Sequence, residues 1–395
     1  MNNDYSGWRC AQVISYLLIA MILTACGGGG GGSSSGSSTS SSFTSGAITG
    51  FGSVIINGIR FDDSSSSVSD DDDSSRSRDD LRLGMIAEVE GSKLSTDDSG
   101  ARHCTASAIR FGSEIVGPVS SIGTSSLTVL GQIIDVTATT IFDDRFANGF
   151  ASIKLGDVVE VHGLPGATAG QYTATRIEPK SNAQFYKLRG VISDLDTNLK
   201  TFKIASETIS FANLSANDMP ASLTDGQRVR VKLQTTQVNG AWVATKIKSG
   251  VRSPGRHDEA ELKGLITEFT SKIAFSVNGI PVDASNASFP KGDSGIVLGA
   301  RVEVEGSAVD GVIIAKKVKP ENDDDVKAEG FELHGTLSDL DATAKTFTLR
   351  GVTVNYSNLS GSEVGNLANG SKVEVKGIPS ADKTALNATR IKIED

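Results

Sequence analysis

The sequence predicts an all-β molecule, a tandem array of five small five-stranded barrels behind an N-terminal leader and a glycine-serine tether. Three observations predict it. A set of landmarks recurs five times at a near-constant period, the apolar residues between landmarks alternate with a period of two, and turn signals separate the alternating runs. Composition agrees, since 43 of the 395 residues are Gly and aromatics make up only 6%. That balance suits a chain full of tight turns.

The leader comes first. Val13 to Leu23 form an apolar run, too short to span a bilayer as a helix, which needs about 20 residues. It ends in Leu23-Thr24-Ala25-Cys26. A short apolar run closing on small residues is a signal-peptide pattern. This one resembles the bacterial lipobox, which implies a signal peptide over residues 1–25 and diacylglycerol on Cys26. Gly27 is not the Asp associated with inner-membrane retention, so the resemblance favours the outer membrane. Residues 26–45 read as the lipidated cysteine and its tether, since a Gly/Ser/Thr tract cannot bury apolar surface and spans roughly 25 Å as a coil. Gly32 to Gly36 match G-x-S-x-G, but no strand precedes them and no helix follows, so the match is chance.

The repeats follow. Each opens on a glycine with alternating apolar residues after it, at Gly46, Gly117, Gly190, Gly264 and Gly335. A second landmark, Gly-x-x-apolar-x-Val, begins at Gly84, Gly156, Gly226, Gly299 and Gly370. A third, Ala-x-x-Ile or Ala-x-x-Val, begins at Ala106, Ala174, Ala244, Ala315 and Ala388. The resulting domains are residues 46–111, 115–178, 188–248, 262–319 and 333–393. Within them, Phe202 and Ile204 share a strand face, as do Phe347 and Leu349, and Val302 and Val304 point inward between outward acids. Asn278-Gly279 is a strong hairpin dipeptide. Asp194 to Asn198 and Asp339 to Asp341 read as turns rather than calcium loops. Ser357 to Asn369 leaves room for one helical turn. Five strands with a helix-sized gap after the third suggest an OB-like Greek-key barrel. A unit of about 60 residues buries only about 60% of its unfolded surface, so neighbours are expected to support one another. The charged connections Ser249 to Glu261 and Pro320 to Glu332 read as mobile.

On these residues, Gly46 to Gly58 above all, the chain resembles the bacterial proteins grouped as domain of unknown function 5666. The likeness covers roughly Gly46 to Ile393 and is weakest in the third repeat, where Leu233 replaces the glycine that closes the fourth strand elsewhere. The resemblance implies an extracytoplasmic lipoprotein of OB-like barrels and assigns no activity.

Chemistry is sparse. Net charge is −9, and the alignable aromatics Phe202, Phe275 and Phe347 fall on the inward phase, so nucleic acid is not an expected partner. The histidines, His103, His162, His257 and His334, show no metal-ligand spacing, and His162 reads as a solvated strand residue. Cys104 is expected half-buried and without a chemical role. The pairs Glu88 with Glu90 and Glu303 with Glu305 are expected in water, where no pKa is raised for acid catalysis. Asp62 to Asp80 carry eight Asp and two Arg and read as a solvated loop, since the EF-hand pattern fails. In the third repeat, Arg228, Arg230 and Lys232 replace acids on an outward face and form a candidate anion site for lipopolysaccharide or an acidic glycan. No catalytic residue, metal or cofactor is expected. The expected function is a non-catalytic, membrane-anchored envelope binding or spacer protein, held in the bilayer through acylated Cys26, with a glycan or an envelope protein as partner. The alternatives are an envelope enzyme or accessory subunit with its site between barrels, and, further off, a single-stranded nucleic-acid-binding protein.

Overall fold

A computed structural model describes residues 41 to 394, except 99, 252 and 323 to 329. The chain divides into Met1–Ser38 and Thr39–Asp395, and the described residues fall in the second unit. The signal peptide, Cys26 and Gly32 to Gly36 lie outside them. No helix among the described residues is long and apolar enough to cross a membrane.

The fold is all-β, and the repeats follow one pairing scheme. In repeat 2 the strands Ile115–Ile122, Ser126–Val129 and Gln132–Phe142 pair in antiparallel succession. The third then runs parallel to the fifth, Gln171–Pro179, which pairs with the fourth, Val158–Pro165, and the fourth returns to the first. This closes a five-stranded barrel. Repeat 3 repeats the scheme from Tyr186–Asp196 to Ala241–Ser249, repeat 4 from His257–Ser271 to Val312–Glu321, and repeat 5 from Phe331–Asp341 to Ala385–Glu394. Repeat 1 closes likewise from Ser41–Phe51 to Arg102–Phe111 and adds a hairpin, Ser67–Asp70 with Ser75–Arg76, between its third and fourth strands.

The recurring glycines have physical causes. All five second-landmark glycines have φ between 80° and 94°, a left-handed conformation that glycine adopts without penalty. At Gly306, on a bulge of the fourth strand, a Cβ would lie 2.1 Å from the Ile314 carbonyl oxygen. The third repeat has Leu233 there; the register shift before it recurs in the glycine-bearing repeats, and a second shift, between Leu233 and Gln237, is its own. Phe202, Phe275 and Phe347 are buried, as the alternation requires. Asn278 and Gly279 both have positive φ, as their hairpin needs. The carboxylate of Asp196 accepts from the Asn198 and Leu199 amides at 2.8 Å each, and that of Asp341 from Thr343 and Ala344, so both stretches are turns. The helical turn of repeat 5 is Gly361–Val364.

The barrels are tandem in sequence but do not hang as separate beads. Strand Ser41–Phe51 of repeat 1 runs parallel to the first strands of repeats 4 and 5, through Ser42↔Glu259 to Ser45↔Leu262 and through Gly50↔Glu332. Repeats 2 and 3 pair through Val116↔Lys187 and Ile115↔Leu188. Apolar side chains of repeats 1 and 5 merge into one core, those of repeats 2 and 3 into another, and repeat 4 keeps its own. Sharing cores answers the marginal burial of a lone barrel.

Two expectations change in consequence. Ser41 to Ser45, counted with the tether, are strand, with Ser42 and Thr44 buried between the paired strands of repeats 1 and 4. The ends of the connections expected to be mobile are ordered too. His257 to Glu261 begin a strand of repeat 4, Pro320 and Glu321 end another, and Phe331 and Glu332 open repeat 5.

Candidate functional site

The residues of the sequence-derived anion site separate. Arg230 and Lys232 stand on one face of the fourth strand of repeat 3, but the face is occupied. The hairpin of repeat 1 reaches across and sets Asp71 and Asp72 on it. Asp71 lies 2.6 Å from Arg230, 3.1 Å from Arg189 and 3.4 Å from Lys187, while Asp72 lies 3.0 Å from Arg230 and 2.5 Å from Lys232. Asp73 pairs with Lys248 and Arg110 at 3.2 Å each. Arg228 is elsewhere, against Asn278-Gly279 of repeat 4, where its Nε would lie 3.1 Å from a Cβ on Gly279. The acidic stretch is therefore not a solvated loop at Asp71, which is buried under three cations.

Other outward positions are covered as well. His162 is 1% exposed, with Nδ1 3.2 Å from the Gly112 carbonyl, because the linker Gly112 to Glu114 crosses over it. Burial lowers its pKa and keeps the ring neutral. Glu88 and Glu303 are buried rather than in water; burial opposes the charge of Glu303, yet Lys319 at 2.7 Å and Lys263 hold its pKa to about 2. Cys104 is more buried than expected, 3.7 Å from the Ser42 hydroxyl, and burial raises its pKa. Burial pushes Glu261 of repeat 4 up to about 7 against the charge of Arg102, which pairs with it from repeat 1. At 1% exposure this carboxyl is sealed from any substrate.

Glu332, His334 and Glu374 bring one ligand atom each within 4.8 Å of the others, a grouping the sequence spacing did not suggest. His334 is bracketed by Glu332 at 2.6 Å and Glu394 at 2.9 Å, and Arg60 of repeat 1 reaches Glu332 at 2.5 Å, with Lys376 at 3.2 Å. Two fixed cations already neutralise Glu332, and both ring nitrogens are engaged. The group is an ionic clasp between repeats 1 and 5. Its hydrogen bond to Glu332 raises the pKa of His334, and although burial opposes it, the His334 and Arg60 contacts hold Glu332 at about 2.

The open site lies where repeats 1, 2 and 5 meet. It is a cleft of about 600 Å³, within the range of small-ligand sites, and six cations but only three carboxylates line it. Main-chain bonding fixes its floor, the Phe142 amide of repeat 2 donating to the Lys383 carbonyl of repeat 5 at 2.9 Å. Arg176, Arg145 and Arg78 are neutralised, the first two by Asp143, at 3.0 and 2.5 Å, together with Glu178, and the third by Asp63 at 2.8 Å. Arg82, Arg350 and Lys383 have no carboxylate partner among the described residues. Arg82 donates to the Asp79 and Leu81 carbonyls, and Arg350 donates to the His334 carbonyl and sits 5.9 Å from the Phe51 ring. Arg350-Gly351 and Lys383 are turn tips with positive φ, so three turns of two repeats deliver the three charges. Sequence reasoning missed the cleft, because nothing in the spacing of Arg82, Arg350 and Lys383 brings repeats 1 and 5 together.

Among solved structures, the chain is similar to one described as drosophila Unr CSD456. It is 17% identical over 43% of this chain and 78% of that one, with a TM-score of 0.16, too low to carry an argument. The search of curated proteins found no match. A family profile, described as a domain of unknown function, matches four segments, residues 116–178, 189–248, 263–319 and 334–392. The third repeat, expected to be the weakest likeness, is matched, while the first repeat, expected to be the best and distinguished by its acidic hairpin, lies outside the matched segments. Four matched repeats spanning more than half of the chain place it in the family of domain of unknown function 5666.

Proposed function

We propose that the protein is a non-catalytic, lipid-anchored binding module of the bacterial cell envelope that holds an acidic glycan in the cleft between repeats 1, 2 and 5. The observation that carries this reading is the trio Arg82, Arg350 and Lys383, cations from separate turns that converge on one cleft without acidic partners among the described residues. Cations gathered in a concave site focus the local potential and favour an anionic ligand. The arginine forks match carboxylates in two-point contacts. The lipobox ending in Cys26 supports the anchor, and the paired or sealed carboxylates support a binding role over acid catalysis.

The test uses trigalacturonate and the neutral, size-matched maltotriose, titrated into the protein by calorimetry. Trigalacturonate is expected to bind and to weaken as salt rises, maltotriose not to bind, and the triple variant Arg82→Ala/Arg350→Ala/Lys383→Ala to lose the signal. Equal binding of both sugars, or trigalacturonate binding that survives the triple change, contradicts the reading.

A further inference from the structure

Repeat 3 carries a grid of cations that strand pairing imposes. Arg189 stands directly across from Arg230, which stands across from Lys248, and Lys187 stands across from Lys232, which stands across from Lys246. Directly opposed residues share a face, so six cations form a two-by-three array, spaced about 4.8 Å between strands and about 7 Å along them. Like charges directly opposite each other destabilise a sheet. Lys187, Arg189 and Arg230 are moreover buried, where an uncompensated charge is costly. Such a face requires an anion.

We propose that this grid is a binding site for a linear polyanion with closely spaced phosphate groups, and that the Asp71–Asp73 turn of repeat 1 occupies it as a built-in competitor. Three features favour a displaceable occupant over a permanent strut. One corner of the grid is unfilled, since Asp71, Asp72 and Asp73, with Glu114 on Arg189 and the charge of Glu160 near Lys187, serve five of the six cations and Lys246 has no acidic partner among the described residues. The tip holds its own shape, because the Asp70 carboxylate accepts the Asp72 and Ser74 amides at 2.9 and 3.0 Å and Arg76 Nε at 2.9 Å, so Asp71 to Asp73 can lift while Ser67–Asp70 stays paired with the last strand of repeat 1, from Ser67↔Ala108 to Asp70↔Phe111. One edge is open to water, with the Asp73 side chain 62% exposed and Arg110 52% exposed. A polyanion can seat its first groups on Lys246 and Lys248 at that edge, beside Lys232, which packs 4.3 Å over the Phe185 ring, and advance as the turn retreats.

The experiment measures binding of inorganic polyphosphate in protein carrying Arg82→Ala/Arg350→Ala/Lys383→Ala, which removes the other cleft from the measurement and separates the two proposals. Adding Asp71→Asn/Asp72→Asn/Asp73→Asn is expected to tighten binding. If the turn covers the grid about 99% of the time, the gain is about a hundredfold. Further addition of Arg230→Ala/Lys232→Ala is expected to abolish the gain. No gain in a folded variant, or a gain that survives loss of Arg230 and Lys232, overturns the proposal. Should the asparagine variant fail to fold, amide exchange of the Arg82/Arg350/Lys383 variant decides. Polyphosphate is expected to speed exchange over residues 69–75, and unchanged exchange at high polyphosphate overturns the proposal.

Discussion

Two regions of the molecule gather cations, and they do so by different means. On repeat 3, three neighbouring strands each carry two cations, and the barrel register stacks them into a grid that the acidic turn of repeat 1 covers. In the cleft, Arg82, Arg350 and Lys383 arrive on separate turns of repeats 1 and 5, and no carboxylate among the described residues pairs with them. Three of the six grid charges, Lys187, Arg189 and Arg230, are buried and bear on stability. The cleft charges are largely accessible and bear on binding.

The largest effect expected from this contrast is at Arg230. Changing it to Ala takes one cation from Asp71, which keeps Arg189 and Lys187, and one from Asp72, which keeps Lys232, and is expected to cost about 1–3 kcal/mol in denaturant unfolding, the range for a buried group that loses a hydrogen-bond partner. Arg350→Ala removes an exposed side chain and is expected to stay within about 0.5 kcal/mol of the parent. Equal costs at the two positions would erase the distinction.

A smaller effect concerns pH at the clasp of repeats 1 and 5. The pKa of His334 is raised, so its contribution is complete below the ordinary histidine value of about 6.5 and is lost as pH rises through the raised value. That of Glu332 is depressed to about 2, so its contribution is complete above the ordinary glutamate range and is lost as pH falls toward 2. The clasp is therefore strongest from about pH 4.5 to 6.5. Melting temperatures of the parent should fall from pH 6 to pH 9 by more than those of His334→Gln, and parallel curves would remove His334 from the clasp.

The smallest effect is ionic. Salt screens exposed pairs far more than buried ones, so 1 M salt is expected to speed amide exchange around Asp73, at the open edge, and to leave the Lys187 and Arg189 strand unchanged. Uniform acceleration across both would mean that the turn has no buried end.

Much of the barrel was legible because its causes are local. Alternation placed Phe202 and Phe347 inward, positive φ marked the second-landmark glycines, and Asn278-Gly279 announced its hairpin. What misled were positions whose environment comes from another repeat. Ser41 to Ser45 have a tether's composition, yet two strands bond to them, and His162 sits at an outward phase that a linker covers. The grid did leave a trace. Lys187-x-Arg189, Arg230-x-Lys232 and Lys246-x-Lys248 share a doublet spacing on strands that the barrel aligns, and Asp71 to Asp73 form the complementary run. Reading Arg228, Arg230 and Lys232 along one strand found part of the site and missed its occupant. The cleft left no such trace, because its cations are distant in sequence and meet only through the packing of the repeats.

The most direct test of the contrast between a filled grid and an open cleft is lysine acetylation of the free protein, followed residue by residue with mass spectrometry. The account predicts rapid modification of Lys383 and slow modification of Lys187, whose side chain is 7% exposed beside Asp71. Lys187 reacting as fast as Lys383 would show that the acidic turn does not occupy the face and would contradict the account.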